Sequence, residues 1–308
     1  SGVATDDGAI LSPVPGFDLT VTFATLKASH RLQPAARYMG RVVVADIGIA
    51  AESRLVEIAR PCLPAPGPDD HKYSRGYVAV IAGEMPGACA LAASASARAG
   101  AGYVRIVGTG HVAGVPLAVV QGGEDKLDDP RIGALVIGPG LGLSDASAAR
   151  LEEALQAGAP PVVDADALTL LARDLHRLDA APETAILTPH AGEFARLFPG
   201  LDGSKVERTR AAAARTRAVI VFKGADTIVA APDGRAGIAP PARAWLATAG
   251  TGDVLSGIVA AMRARGLDAF DAACAGVWLH GRAAEQAGAV LLADDLLAPL
   301  PSLVAACR

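Results

Sequence analysis

At 308 residues the chain suits one large α/β domain or two smaller ones. Hydrophobic residues make up 51% and aromatics only 4%, so alanine, valine and leucine must fill the core, while 34 glycines imply many tight turns and close helix–strand contacts. A net charge of −4 without a long basic run argues against nucleic acid as the main partner, and no uninterrupted apolar run is long enough to span a bilayer.

From residue 1 to about 52 the chain has its own character. Asp18-Leu19-Thr20-Val21-Thr22-Phe23 alternates like a strand, and Arg41-Val42-Val43-Val44-Ala45-Asp46-Ile47 reads as a second. Two strands make no independent core, so this piece must pack on something else. The proline-rich run Pro61-Cys62-Leu63-Pro64-Ala65-Pro66-Gly67-Pro68 reads as a linker, which divides the chain into residues 1–60 and 61–308. A regular pattern follows. Buried strands are expected at 77–83, 102–108, 134–142 (running into a glycine-rich loop), 161–166 (ending in two acids), 185–190 and 218–224, alternating with helices at 88–99, 146–157 and around Leu168 to Leu171. Continuous apolar strands alternating with helices predict a three-layer α/β/α fold with a mostly parallel central sheet. The right-handed crossover rule puts the strand ends on one edge, where ligands bind in such folds. Residues 227–231 and 235–239 flank Pro232-Asp233-Gly234 and predict an antiparallel hairpin. An amphipathic helix with Val254, Leu255, Ile258, Val259 and Met262 on its apolar face comes next, then a long helix over 269–287. The four cysteines, Cys62, Cys89, Cys274 and Cys307, form no CxxC pair and read as reduced, mostly structural thiols. With no basic-then-apolar leader, a cytoplasmic protein is expected.

The stretch Ala249-Gly250-Thr251-Gly252-Asp253 leads into that amphipathic helix. Gly250 and Gly252 let the backbone approach a ligand closely, and the first turn of a helix offers free N–H groups to an anion such as phosphate. Thr251 or Asp253 stands where an N-cap is expected; Asp253 reads either as that cap or as a general base beside bound phosphate. Other polar groups gather at the strand ends. Gly138-Pro139-Gly140-Leu141-Gly142 is a tight turn or a ligand loop. Asp164 and Asp166 read either as a helix cap with a solvated partner or as two acids that hold a substrate hydroxyl or the waters of a metal, with function favoured for Asp164 and the structural role for Asp166. His190 opens a helix and is either structural or a donor to substrate. Lys223, beside Gly224, is either a surface lysine or an amine that neutralises a nucleotide phosphate, the second being favoured. His111, His176 and His280 stand alone and read as structural, and Trp278 as core.

Six stretches together carry a resemblance: Met85-Pro86-Gly87-Ala88, the glycine loop 138–142, Val163-Asp164-Ala165-Asp166-Ala167-Leu168, Leu187-Thr188-Pro189-His190-Ala191-Gly192-Glu193, Lys223-Gly224-Ala225-Asp226-Thr227, and 249–257. From about Lys72 onward the chain resembles the ADP/ATP-dependent NAD(P)H-hydrate dehydratases of the ribokinase-like superfamily. The resemblance implies a repair reaction that dehydrates hydrated NADH or NADPH at the expense of ADP or ATP, with Mg2+. It implies Asp253 as the base that activates the ring hydroxyl, with Gly250, Thr251 and Gly252 stabilising the moving charge. It places Ala88, Gly140, Asp164, His190 and Asp253 against the hydrate, and Lys223, Gly224, Ala225, Asp226, Thr227 and Gly252 against the nucleotide; no metal ligands are legible. Residues 1–60, with Ser1-Gly2-Val3, Leu26-Lys27-Ala28-Ser29-His30 and both expected strands, look like the tail of an NAD(P)H-hydrate epimerase domain. The nucleotide-binding half of that domain is missing, so no epimerase activity is carried over. Arg243-Ala244-Trp245-Leu246 departs from the family pattern, which has smaller residues there. The alternative is a kinase of the same fold acting on a hydroxymethylpyrimidine or a sugar. The expected partners are small molecules, with no nucleic acid and no membrane, and self-association is expected of an alanine-rich surface.

Overall fold

A computed structural model describes residues 2–308 apart from 109, 123–126 and 182–183; Ser1, part of the epimerase resemblance, lies outside the described residues. In chain order the elements are β1 (Leu19–Phe23), β2 (Arg41–Ala45), β3 (Leu55–Glu57), β4 (Tyr77–Ile81), α1 (Pro86–Arg98), β5 (Tyr103–Val107), β6 (Val120–Gln121), β7 (Ala134–Ile137), α2 (Asp145–Gln156), β8 (Pro161–Val163) and α3 (Ala165–Leu171). They continue with β9 (Ile186–Leu187), α4 (Ala191–Leu197), α5 (Lys205–Thr216), β10 (Val219–Phe222), β11 (Ile228–Ala230), β12 (Ala236–Ile238), α6 (Thr251–Ala264), α7 (Ala269–Ala287) and α8 (Leu300–Ala306).

Strands β3 to β12 form one sheet in the order β3-β12-β11-β10-β9-β8-β7-β4-β5-β6. Only β11 runs against the rest, as the Pro232-Asp233-Gly234 turn predicts. Period-two alternation divides the strands between two cores. Val78 and Val80 of β4 face α1, α6 and α7, whereas Ala79 and Ile81 face the side covered by α2 to α5. A sheet buried on both faces has no polar side to spare, which is why its strands read as continuous apolar runs. No helix of the described residues is long and apolar enough to cross a membrane.

The chain leaves β4 to one side through β5 and β6, then returns to the other through β7, β8, β9 and β10. The order therefore reverses between β4 and β7, and a crevice opens beyond their carboxyl ends. Two loops meet there. The Met85 amide donates to the Gly140 carbonyl at 2.9 Å. A Cβ on Gly83 would lie 2.3 Å from the Leu141 Cα, so glycine is required for this approach.

Beneath the crevice α6 is wedged between α1 and α7. A Cβ on Gly257 would lie 2.1 Å from the Ala92 carbonyl oxygen of α1. The Ser96 hydroxyl bridges the same two helices, donating to the carbonyls of Ala92 at 2.9 Å and Gly257 at 3.0 Å.

In the first segment β1 and β2 pair in parallel as a separate two-stranded sheet. Further along, β3 joins the main sheet beside β12. Three residues are too few for a period to show, and β3 and the two-residue β6 were not legible in the sequence. Leu63, within the proline-rich run, is buried, and its amide donates to the Cys307 carbonyl at 2.7 Å.

Replacing glycine by alanine inside a helix normally stabilises by about 1 kcal/mol. Gly257→Ala is expected to do the reverse, costing about 1–3 kcal/mol because α1 must move away from α6. Gly281→Ala, whose Cβ would meet nothing closer than Ala242 at 3.6 Å, is expected to keep the ordinary sign. Urea unfolding of both variants against the parent chain reads the difference.

Candidate active site

The small residues before α6 build its first turn. Gly250 is the N-cap, with φ of +87° in the left-handed region that suits glycine. A Cβ there would also press on Leu91 at 2.7 Å and Ala293 at 3.0 Å. The expectation that Thr251 or Asp253 caps this helix is corrected. The Thr251 hydroxyl donates backwards to the carbonyls of Leu246 and Thr248, both at 2.9 Å, and so ties down the approach loop. Asp253 stands two residues into the helix, and no hydrogen bond reaches its carboxylate among the described residues. Nor does any described group accept from the amides of Gly250, Gly252 or Asp253. The site thus holds free N–H donors at the positive end of a helix, and an unpaired carboxylate beside them.

Burial pushes the Asp253 carboxyl up to about 7; the negative charges of Asp164 and Asp166 add to this, against the pull of Lys223. Asp164 caps α3 and is almost wholly buried. Its Oδ1 accepts from the Ala165 amide at 2.9 Å and from Lys223 Nζ at 2.7 Å, and its Oδ2 from the Ser256 hydroxyl at 2.6 Å. Asp164 thus ties the end of β8 to Lys223 of the β10 end and to Ser256 of α6. Ala165 follows with φ of +48°, a left-handed backbone costing a non-glycine residue roughly 1–2 kcal/mol, held by those bonds. Sequence reasoning gave Ser256 no role. Its signal was a polar residue within the buried stretch of α6, one turn beyond Gly252.

Lys223 faces inward. Burial alone would lower its pKa, but the charges of Asp164, Glu193 and Asp253 outweigh that and raise it, so it stays an ammonium. It lies close under the α6 turn, since a Cβ on Gly252 would be 3.3 Å from its Nζ.

The glycine loop is set by the neighbouring strand end. Gly138 has φ of +121°, and a Cβ on it would fall 1.8 Å from the Asp164 carbonyl oxygen. The Gly142 amide donates to Asp166 Oδ2 at 2.9 Å, so Asp166, read from sequence as a cap or a solvated acid, anchors the loop. Ala88, on the first turn of α1, stands next to Gly140: a Cβ on that glycine would be 3.2 Å from the Ala88 Cβ.

His190 caps α4. Its Nδ1 accepts from the Gly192 amide at 3.0 Å and the Glu193 amide at 3.3 Å. An accepting Nδ1 leaves the proton of the neutral ring on Nε2, and more than half of this side chain is exposed. Glu193 closes the capping box by accepting from the His190 amide at 2.8 Å; burial raises its pKa.

On the far side of α6, Thr227 closes the Lys223–Thr227 loop. Its hydroxyl accepts from the Gly224 amide at 3.1 Å and donates to the Gly224 carbonyl at 2.9 Å. The Asp226 carboxylate is engaged by other elements: it accepts from Lys205 Nζ at 2.6 Å and from the Gln33 amide at 2.9 Å. Gly224, Ala225 and Thr227 line a recess of about 50 Å³ with Leu246, Trp278 and His280. Trp278, expected in the core, is only partly buried and forms a wall of this recess. His280, expected to stand alone, has a partner in the Thr251 carbonyl at 2.9 Å. Trp245 is about half exposed, and its carbonyl accepts from Thr248. A larger cavity, about 740 Å³, lies between the first segment and α5, away from these groups. Among the described residues no three His, Cys, Asp or Glu side chains converge as a metal cage. Burial pushes the thiols of Cys89 and Cys274 up to about 12, as inert structural cysteines require.

Residues 78–300 match the carbohydrate-kinase family profile described as NAD(P)H-hydrate dehydratase. The chain belongs to the NAD(P)H-hydrate dehydratase family. The bifunctional NAD(P)H-hydrate repair enzyme Nnr of Mycobacterium tuberculosis is 39% identical over 289 residues, covering 89% of this chain and 59% of its own length. The present chain thus spans about 59% of that relative. The ADP-dependent (S)-NAD(P)H-hydrate dehydratase of Neisseria meningitidis is 39% identical over 234 residues, 70% of this chain and 79% of that protein. Among solved structures, the ADP/ATP-dependent NAD(P)H-hydrate dehydratase from Bacillus subtilis, co-crystallised with ATP and Mg2+, superposes with a TM-score of 0.69 at 30% identity, covering 80% of this chain and 95% of that one. The dehydratase resemblance read from the motifs is borne out, as is the ribokinase-like fold.

A carboxyl whose folded pKa of about 7 exceeds its ordinary 3.8 keeps a proton that the unfolded chain has released. Stability therefore falls as pH rises between those values and levels off above them. In the ligand-free protein, Asp253→Asn removes this penalty. The variant is expected to match the parent near pH 4 and to be more stable near pH 8, by on the order of 2–4 kcal/mol. Urea unfolding at the two pH values measures it; equal stabilities at both would contradict the unpaired, buried state of this carboxylate.

Proposed function

We propose that this chain dehydrates the S epimer of hydrated NADH or NADPH back to the reduced cofactor, using ADP or ATP as phosphoryl donor. The observation that carries the reading is the unpaired, buried Asp253 carboxylate beside the free amides of the first turn of α6. A general base works best with a pKa near the operating pH, and burial brings Asp253 to about 7.

Asp253 takes the proton of the ring hydroxyl as its oxygen attacks the terminal phosphoryl group; the bond from that phosphorus to the bridging oxygen breaks, and ADP leaves from ATP, or AMP from ADP. The amides of Gly250, Gly252 and Asp253 face the charge that moves in this step, and being preorganised they need not reorient. The ring C–O bond then breaks, phosphate departs with the bonding electrons, and loss of a proton from the adjacent ring carbon restores the double bond. His190, with its proton on Nε2, donates to the hydrate beside Ala88 and Gly140. The Lys223–Thr227 loop holds the nucleotide. Lys223 supplies positive charge under the α6 turn, while Asp226, its carboxylate already engaged, offers only backbone. Magnesium fits as an ion carried by the nucleotide phosphates and water, since no protein cage converges among the described residues. It supplies charge neutralisation to the phosphates.

The test follows the near-ultraviolet absorbance of reduced nicotinamide after mixing the protein with NADH hydrate, magnesium and either nucleotide. Absorbance is expected to grow, with Asp253→Asn slower by about 10²–10⁴-fold. Below about pH 7 the rate is expected to fall tenfold per pH unit, as the base becomes protonated. No growth with either nucleotide would refute the dehydratase reading and point to a small-molecule kinase.

A further inference from the structure

We infer that His280 is a positioning residue for the anion-binding turn: by donating to the Thr251 carbonyl it aims the Gly252 amide at the phosphoryl group. The inference rests on the proposed reaction for its kinetic consequence but on geometry for its content. His280 lies on α7, and its Nε2 is 2.9 Å from the Thr251 carbonyl oxygen. A carbonyl only accepts, so the ring donates there and carries its proton on Nε2. Burial holds the imidazole down to about 4, which favours the neutral ring as donor.

The carbonyl of Thr251 and the N–H of Gly252 belong to one peptide unit. That unit is planar and trans, so the two groups point in opposite directions and rotate together. Fixing the oxygen from below fixes the N–H above. The other end of the unit is restrained too, because the Thr251 hydroxyl is tied to Leu246 and Thr248. Gly252 has no side chain to oppose rotation, and a Cβ there would crowd Lys223 Nζ at 3.3 Å. The first helical turn sets this peptide plane, and the His280 bond adds a side-chain hold on the same carbonyl. The Gly252 amide has no acceptor among the described residues, as a donor reserved for a ligand must.

The test compares His280→Gln with His280→Asn. Both substitute a neutral amide; glutamine reaches to the position of Nε2, and asparagine stops short of it. With NADH hydrate, kcat is expected to fall on the order of tenfold to a hundredfold in the asparagine variant, below the effect of deleting an oxyanion donor outright. The nucleotide KM is expected to stay within about threefold, and the glutamine variant to stay close to the parent. In the ligand-free protein the 15N and 1H shifts of the Gly252 amide are expected to move in the asparagine variant and to hold in the glutamine variant. Equal losses in both variants, a parallel rise in KM, or an unmoved Gly252 amide would overturn the inference. Thermal melting checks folding, and His280→Leu replaces the asparagine variant should that not fold. If the parent chain fails to dehydrate NADH hydrate, the proposed reaction falls while the Gly252 shifts still decide the role of His280.

Discussion

The site depends on how one buried cation is shared among three carboxylates. Lys223 lies amid Asp164, Glu193 and Asp253, so negative charge is in surplus. Hydrogen bonds decide where the surplus goes. Asp164 is held by Ala165, Lys223 and Ser256, and Glu193 by the His190 amide. Asp253 receives no such bond, so it is the carboxylate most ready to take a proton. The proposed base is thereby set apart: its neighbours hold stabilising partners, and it holds none among the described residues.

The same network fixes position. Asp164 sits at the end of β8 and caps α3, while its other bonds reach β10 through Lys223 and α6 through Ser256. Removing one partner of a buried pair is costly, so these elements are locked to one another. Glycines complete the arrangement by letting backbone meet backbone. Gly138 lies under Asp164, Gly83 against the loop at 141, and Gly257 against α1. Each allows a distance that any Cβ would forbid.

The first segment is tied into this frame through Asp226. That carboxylate joins Lys205 of α5 to the Gln33 amide, within the loop assigned to the nucleotide. Arg31 pairs with Glu57, on the edge strand of the main sheet. The Lys223–Thr227 loop is thus braced by residues far away in sequence.

The sequence by itself determined the sheet, most of its strands and helices, and the motifs at their carboxyl ends. These follow from local period and composition, which act over a few residues. It also located Gly250, Gly252 and Asp253, because small residues before an apolar helix are a local signal. It left open whether Asp253 caps the helix, gave no role to Ser256, and read His280 as structural without a partner. Those answers depend on partners dozens of residues away: Asp164 for Ser256, and the Thr251 carbonyl for His280. Only the tertiary structure decided which carboxylate goes unpaired, since that is a competition for donors brought together by folding.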